Sequence, residues 1–211
     1  MGTMTRRHGT SAQRRRSALL RAAVEVTAEK GMAGVTHRAV TEKAGLPLAT
    51  VGYFFDSITD LAVEALRSRV AEDVTELSAL GDRLTERGST PGEMVEAFAA
   101  AVQVPRAEAL AFIEALLHAA RTPEFRPAVV DALEAGRAVA AGATSAAGAA
   151  DADAGAFLAL VHGYALHALA APDLVAPDAL LRGLRTLLIG GLLESGHVGL
   201  ALELAGRPAS S

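Results

Sequence analysis

Three short groups of residues near the start of the chain carry side chains that can bind phosphates or the edges of bases. These groups are Arg14-Arg15-Arg16, Thr36-His37-Arg38 and the pair Thr50 and Tyr53. An arginine can donate two parallel hydrogen bonds to guanine, whereas hydroxyl groups donate to phosphate oxygens without reading sequence. These residue types therefore favour contacts with a nucleic acid.

The net charge of the chain, -4, hides a division into two parts. Residues 1–55, the basic head, contain nine Lys or Arg and three Asp or Glu, a net charge of +6. Residues 56–211, the acidic body, contain eleven and twenty-one, a net charge of -10. A basic head on an acidic body indicates that the first part of the chain meets phosphates.

The residues that the common catalytic and metal sites need are missing. There is no Cys, which excludes thiol nucleophiles, disulfides and Cys-ligated zinc and fits a reducing compartment. There is no H-E-x-x-H, no G-x-S-x-G and no Gly-rich phosphate loop. His162 and His167 lie about 140° apart on a helix, a poor arrangement for a metal. We expect no enzymatic activity, no catalytic residue, no metal and no cofactor.

Composition and spacing predict an all-α protein of about nine helices. The chain is rich in Ala, Leu and Glu, only 4% of it is aromatic, and no useful length alternates with a period of two. A first helix fits residues 11–30, a second runs from the cap Thr36 to Ala44, and Gly45 ends it. A third covers residues 48–54. Two short helices around a glycine turn form a helix-turn-helix pattern.

Start signals also predict the helices of the acidic body. Thr90-Pro91-Gly92-Glu93 is a capping box with proline at the first helical position. The predicted helices cover residues 57–80, 91–103, 105–120, 122–140, 151–171 and 178–195. Residues 141–150 contain only Ala, Gly, Ser and Thr, which predicts a linker.

A longer set of residues spans the helix-turn-helix without gaps. It comprises Leu19-Leu20-Arg21-Ala22-Ala23-Val24, Gly31, Thr36-His37-Arg38-Ala39-Val40, Ala44-Gly45-Leu46, Thr50-Val51, Tyr53-Phe54-Phe55, Ser57 and Leu61. Over about residues 17–62 this set resembles the DNA-binding domain of the TetR family of transcriptional regulators. The resemblance implies an N-terminal three-helix DNA-binding domain followed by a larger helical domain for ligand binding and dimerisation. It also implies a repressor that leaves a palindromic operator when a small molecule binds.

The resemblance and the helix pattern together predict four segments. They are a disordered basic arm at 1–10, the helix-turn-helix domain at 11–56, the helical effector-binding and dimerisation domain at 57–195, and a C-terminal tail at 196–211.

The third helix is expected to lie in the major groove of double-stranded DNA. Leu48 and Ala49 can touch thymine methyl groups, and the hydroxyls of Thr50 and Tyr53 can donate to phosphates. The helix contains no Arg, Asn or Gln, so we expect an operator that is selected partly by its shape.

The preceding helix and the arginine run complete the predicted DNA-binding residues. Arg38 matches a family position that reaches a base edge and is the predicted guanine reader. Thr36 and His37 lie beside it, and His37 is expected to bind phosphate. Arg14, Arg15 and Arg16 are expected to add affinity by releasing counterions from the DNA.

Three residues depart from the family pattern. The family usually has Tyr where this chain has Gly52, Lys where it has Ile58, and Phe where it has Thr27. Gly52 weakens a short helix by about 1 kcal/mol relative to Ala. Ile58 removes a phosphate-binding cation, whose contacts we expect to pass to the arginine run or to Thr59.

The last two long helices are predicted to form a homodimer interface as a four-helix bundle, since readers of palindromes bind as dimers. A helix that is apolar nearly all round must be buried on more than one side. The predicted interface residues are Phe157, Val161, Leu180, Leu184, Leu187, Leu188 and Gly191.

The resemblance also implies an effector pocket in the body for a small apolar or amphipathic molecule. Candidate lining residues are Met94, Phe98, Phe112, Leu116, His118, Phe125 and Tyr164, each of which could equally belong to an ordinary core. Glu114 and His118 lie four residues apart on one helix face and could orient a polar ligand group or form a solvated pair.

Two alternatives stay open at this point. One is a DNA-binding regulator without a ligand, controlled by a protein partner or by its abundance. The other is a helical interaction module that does not bind DNA. Residues 154–172 lack charge but contain two histidines and are rich in alanine, so we expect a buried interface helix and not a membrane span. We expect a cytoplasmic protein, found at the nucleoid when bound to DNA.

Overall fold

Ten α-helices make up most of the part of the chain that the computed structural model describes, namely the backbone of residues 4–206 and the side chains of residues 11–206. Within these residues there is no strand, which confirms the all-α class. The helices are α1 (Met4–Lys30), α2 (His37–Ala44), α3 (Ala49–Phe54), α4 (Ile58–Glu86), α5 (Pro91–Ala101), α6 (Arg106–Arg121), α7 (Arg126–Ala146), α8 (Ala154–Ala170), α9 (Ala179–Glu194) and α10 (Val198–Leu204).

The chain divides into two compact units, each built from two separate stretches of sequence. The first unit contains the residues up to Arg69 together with Pro105–Ala132. The second contains Val70–Val104 together with the residues from Leu133 onward. The predicted boundary between residues 56 and 57 therefore does not separate the two units. The start of α4, all of α6 and the first residues of α7 belong with the helix-turn-helix.

The core of the first unit explains why α1, α2 and α3 pack together. Leu19, Val26, Val40, Val51 and Leu61 are at most 1% exposed and belong to one apolar cluster. They come from α1, α2, α3 and α4, so one residue from each short helix fixes that helix to its longer neighbours. α6 packs along α1 and buries alanines at a spacing of four residues, which allows a close approach.

Local signals set the ends of α2 as the sequence predicts. The Thr36 hydroxyl accepts a hydrogen bond from the Ala39 N–H at 3.1 Å, which satisfies one of the free amides of the first turn. Gly45 ends the helix with φ of 64°, a left-handed conformation that favours glycine. The predicted cap and stop are confirmed, as is the capping box of Thr90 and Glu93 on α5.

Both ends of the chain are more helical than predicted. α1 begins at Met4, whereas a disordered arm was expected over residues 1–10; residues 1–3 lie outside the described residues. The predicted tail contains α10, whose Ala201 and Leu204 are buried. Arg185 of α9 donates from its guanidinium to the Leu204 carbonyl, with Nε at 2.8 Å, and this contact fixes the end of α10.

The second unit is built on one face of α9. Leu180, Leu184, Leu188 and Leu192 recur every four residues and are between 0 and 9% exposed. They pack in one core with side chains from α5 and α10, and with partly buried residues of α8. The leucine stripe of this helix is therefore used inside the chain.

The predicted linker at 141–150 is wrong for most of its length. α7 continues to Ala146, and Thr144, Ala147 and Ala149 are at most 4% exposed. The Thr144 hydroxyl donates to the Ala141 carbonyl, so its burial leaves no unsatisfied donor. The small residues of this segment allow close packing. Composition alone does not distinguish such a packed segment from a flexible linker.

α8 is apolar but incompletely covered by its own chain. None of its residues is fully buried, although it contains no Asp, Glu, Lys or Arg. The Asp153 carboxylate caps it by accepting from the N–H groups of Gly155 and Ala156. Of the helices that the structure describes, none combines the length and the apolar character that crossing a membrane requires.

Candidate nucleic-acid interface

The predicted recognition helix α3 and the residue before it expose two large side chains. Leu48 and Tyr53 are 60% and 76% exposed, Ala49 is exposed, and Thr50 is half-buried. An exposed leucine just before a six-residue helix and an exposed tyrosine on it both leave apolar surface in contact with water in the free protein, which is unfavourable. This is the surface expected of a helix that meets another molecule.

The opposite face of α3 is anchored in the core. Val51 is 0% and Phe55 is 5% exposed, and the Phe55 N–H closes the helix on the Val51 carbonyl at 2.9 Å. The Tyr53 ring packs edge-on against Phe54, with centroids 4.8 Å apart. α3 is thus rigidly held while Leu48 and Tyr53 project outward.

Arg38 projects from the first turn of α2 and already has a partner on its own helix. Its Nε donates to Oε1 of Glu42 at 2.8 Å, and the side chain is 83% exposed. This pair raises the pKa of the Arg38 guanidinium, mainly through the hydrogen bond. A base edge must therefore replace or share the Glu42 carboxylate. The spacing of four residues between Arg38 and Glu42 is a sequence signal for this pair.

Thr36 and His37, the two residues before Arg38, have different surroundings. Thr36 is exposed, but its hydroxyl oxygen is used by the cap of α2. His37 is exposed, and its carbonyl accepts from the Thr41 hydroxyl at 2.8 Å. The residue His37 is thus on the surface, and its contact with a phosphate stays a prediction.

The side chains of Arg14, Arg15 and Arg16 point in different directions because the three residues lie on one helix. Arg14 and Arg15 are exposed, but Arg16 turns toward the protein. The Arg16 guanidinium forms an ion pair with Glu64 of α4 and lies over the Phe55 ring, 5.3 Å from its centroid. Consecutive helical residues point about 100° apart, so three adjacent arginines cannot form one patch. Arg16 and Glu64 are far apart in sequence, and no local pattern connects them.

Lys43 is also engaged inside the basic head. Its ammonium forms ion pairs with Glu29 and, at 3.4 Å, with Glu25, both on α1. The hydrogen bond with Glu29 raises the pKa of Lys43, and the same contact lowers the pKa of Glu29. This pairing connects α2 to α1, and both carboxylates reduce the charge that Lys43 can offer to a phosphate.

The three departures from the family pattern each have a structural setting. Gly52 is exposed, and a Cβ built there meets nothing within 4 Å. Ile58 is half-buried against the core of the first unit, so it packs where a lysine would reach outward. Thr27 is 6% exposed, and its hydroxyl donates to the Ala23 carbonyl at 2.8 Å, which satisfies the buried donor.

Four of the predicted dimer residues are core residues of their own chain. Leu180, Leu184 and Leu188 are buried within the second unit, and Gly191 is buried as well. A Cβ on Gly191 would lie 2.7 Å from the Cβ of Ala152, so this glycine permits an approach within the chain. Helical periodicity identifies a buried stripe without showing what covers it, and the structure covers these four residues with their own chain. Their place in a dimer interface stays a prediction.

The remaining dimer candidates keep part of their surface. Phe157 and Val161 are partly buried against the core of the second unit. Leu187 is half-buried. In addition, Leu166 of α8 and Leu193 of α9 are 45% and 48% exposed, and sequence reasoning did not select either as an interface residue.

The predicted effector residues are distributed over both units. Phe112, Leu116, His118 and Phe125 belong to the first unit, and Met94, Phe98 and Tyr164 to the second. Met94 and Phe125 are 5% and 1% exposed and lie in the cores.

Glu114 and His118 also have protein surroundings. The His118 ring packs edge-on against Phe125, with centroids 5.2 Å apart. The Glu114 carboxylate lies at the turn after α1, where its Oε2 would be 3.2 Å from a Cβ on Gly31. Both side chains therefore contact other residues of the protein without a bound ligand.

Two separate stretches of the sequence each match a model of the same family. The model described as "Bacterial regulatory proteins, tetR family" matches residues 19–65. The model described as "Tetracyclin repressor-like, C-terminal domain" matches residues 85–191. None of the curated protein sequences compared with the chain matches it.

Solved structures share this architecture. A TetR-family member from Streptomyces coelicolor A3 is 28% identical with a TM-score of 0.65, over 82% of this chain and 97% of that one. The multidrug binding protein EbrR complexed with proflavin is 28% identical with a TM-score of 0.55, over 82% and 97%. A transcriptional regulator from Rhodococcus sp. Rha1 has a TM-score of 0.67 over 85% and 96%, but at 24% identity it shows the fold alone. Since both family models match and the helix-turn-helix is formed as they require, the chain belongs to the TetR family of bacterial transcriptional regulators.

Proposed function

We propose that this regulator is a homodimeric repressor that binds a palindromic operator through α2 and α3 and is released by a small molecule. The observation that carries the proposal is the outward display of Arg38, Leu48 and Tyr53 on a firmly anchored helix-turn-helix. Together with His37, Ala49 and Thr50, these side chains offer one guanidinium, apolar groups and hydroxyls to a major groove. The acting protein is then cytoplasmic, and its role needs no enzymatic activity.

Dimerisation is supported by the incomplete burial of α8. An uncharged helix of 17 residues with no fully buried residue leaves apolar surface for another chain to cover. Two-fold symmetry would place one recognition helix on each half of a palindrome. We assign the interface to the surface of α8 and α9 that includes Leu166, Leu187 and Leu193.

A small-molecule effector is supported by EbrR, whose structure holds proflavin. That protein is 28% identical to this chain over most of both sequences. We propose an apolar or amphipathic effector of the same general character for this regulator. Among the predicted effector residues, Phe112, Leu116 and His118 of the first unit are half-buried and keep surface for a ligand, and so do Phe98 and Tyr164 of the second unit. We treat the two groups as separate candidate binding surfaces.

Selection of DNA from a random-sequence pool tests the operator. The purified chain should enrich duplexes with an inverted repeat, and affinity for them should fall steeply as salt is raised. Enrichment of a single half-site would contradict binding as a dimer, and no enrichment at all would leave only the interaction-module interpretation.

Thermal unfolding in the presence of a panel of aromatic cations and apolar metabolites tests the effector. A ligand at 100 times its dissociation constant should add about 2.7 kcal/mol to the free energy of unfolding. The same compound should dissociate the selected duplex. A compound that stabilises the protein without affecting the duplex would contradict release by that ligand, and a panel without binders would favour control by a protein partner or by abundance.

A further inference from the structure

Arg16 connects three elements of the DNA-binding unit. It lies on α1, its guanidinium forms an ion pair with Glu64 of α4, and the same group lies 5.3 Å from the centroid of the Phe55 ring. Phe55 is the residue at which α3 ends, and its N–H closes that helix. One side chain therefore contacts both the end of the recognition helix and the start of the helix that follows.

This arrangement is unlike that of the neighbouring arginines. Arg14 and Arg15 are exposed, whereas 41% of the Arg16 side chain and 39% of the Glu64 side chain are accessible. A guanidinium has five donors in a fixed plane, and here its charge is directed to a carboxylate and its flat face to an aromatic ring. Such a group specifies a geometry between its partners, which an exposed arginine does not.

We propose that Arg16 is a positioning residue: it sets the orientation of α3 relative to α4 through Phe55 and Glu64 and does not bind phosphate. The proposal rests on the function proposed above, because orientation matters here only if α3 reads DNA. Phe55 is 5% exposed, so a shift of its ring must move the end of α3 or the residues packed around it. Glu64 then supports DNA binding although its charge repels phosphates.

Glu64 distinguishes this role from a phosphate contact. If Arg16 bound a phosphate, removing the nearby negative charge with Glu64→Gln would strengthen binding or leave it unchanged. If Arg16 is a positioning residue, Glu64→Gln weakens binding as Arg16→Gln does. Both side chains are partly exposed, and exposed ion pairs contribute little to the free energy of unfolding, so the variants should fold.

The experiment measures fluorescence anisotropy of the full chain with two duplexes over a range of salt. One duplex is the sequence enriched by the wild-type protein from a random pool, and the other is a scrambled duplex of equal length. Arg16→Gln and Glu64→Gln should each weaken binding to the enriched duplex by roughly two- to tenfold, and the double variant should lose no more than either one. Binding to the scrambled duplex should stay unchanged.

Two further variants make the outcome decisive. The exchange Arg16→Glu with Glu64→Arg should recover part of the lost affinity, because the ion pair re-forms in reverse. Arg15→Gln is the matched control: it should weaken binding to both duplexes and lower the salt slope by about 0.9. A lower salt slope for Arg16→Gln, with unchanged or tighter binding for Glu64→Gln, would overturn the proposal while leaving DNA binding intact. Failure of the wild-type chain to enrich any duplex would overturn the proposed function first, and this proposal with it.

Discussion

In the function proposed above, base recognition depends largely on one exposed side chain, that of Arg38. Its side chain is 83% exposed on α2, whereas α3 itself offers only apolar groups and hydroxyls. Glu42 holds its Nε at 2.8 Å, so part of the fork is already oriented before DNA arrives. Discrimination of one base pair is thus expected to depend on this residue.

We expect Arg38→Ala to weaken binding to the enriched duplex by roughly 10- to 100-fold, because a bidentate guanine contact is lost. Duplexes with each base pair changed in turn should then show relaxed preference at one position in each half-site. Arg14→Ala serves as a comparison that weakens all duplexes alike. Equal losses for enriched and scrambled duplexes would instead make Arg38 a phosphate contact.

Gly52 gives a prediction on stability. It is exposed within α3, its Cβ position is open, and alanine is favoured over glycine in helices by about 0.5–1 kcal/mol. We expect Gly52→Ala to raise Tm by about 1–4 °C in thermal unfolding. Gly45→Ala is the matched control and should lower Tm, since φ is 64° there. A lower Tm for Gly52→Ala would contradict the assigned open environment.

At the scale of the helices, the residues that cap or end a helix can be predicted from the sequence, whereas the packing between helices cannot. The cap Thr36, the stop Gly45 and the Thr90 capping box are set by neighbours in sequence, and they were predicted correctly. The sequence predicts the end of α4 at Leu80, but the helix continues to Glu86. Gly81 lies close to the Phe98 side chain and Leu84 is buried, so packing stabilises the additional residues. Contacts with residues distant in sequence decided that end.

The candidate site shows the same limit. The sequence gives Arg38, Leu48 and Tyr53 as surface residues of a helix-turn-helix, and the structure exposes all three. It could not show that Arg16 faces Glu64, because three adjacent arginines look equivalent in the sequence. The fold class followed from composition and caps, whereas the partner of each charged group required the packed helices.

α9 provides a prediction that separates core from interface. Leu184 is 5% exposed inside the second unit, so Leu184→Ala should lower the free energy of unfolding by about 2–5 kcal/mol. Leu193 is 48% exposed, and Leu193→Glu should leave the fold intact but weaken the proposed dimer. Circular dichroism follows folding, and sedimentation velocity follows the dimer. Full dimerisation of Leu193→Glu would exclude this side chain from the interface.

At the scale of the whole molecule, the charge division and the structural division do not coincide. The basic head ends at residue 55, but the first unit also includes Pro105–Ala132. Within that unit Arg67 pairs with Asp131 at 2.9 Å and Arg69 with Glu108 at 3.0 Å. Carboxylates of the acidic body thus pair with arginines in the first half of α4, which the net charges of the two sequence segments do not show.

The whole chain should also lose stability in mild acid. Burial lowers the pKa of His162 on α8, so in the folded state this imidazole stays neutral where the unfolded chain takes up a proton. The unfolded state then binds more protons, and the free energy of unfolding falls as the pH drops through about 6.5. Urea titrations between pH 7.5 and 5 should show a flatter dependence for His162→Gln than for wild type. An unchanged slope would contradict burial of this imidazole.

The double ion pair of Lys43 has a practical consequence for labelling. The chain has two lysines, and an amine reacts with an ester dye only when it is deprotonated. The pKa of Lys43 is raised by Glu29 and Glu25, whereas Lys30 ends α1 with an exposed side chain. Near-neutral conditions should therefore favour a fluorophore on Lys30 over one on Lys43. Such a dye would report on the DNA-binding unit without introducing a cysteine.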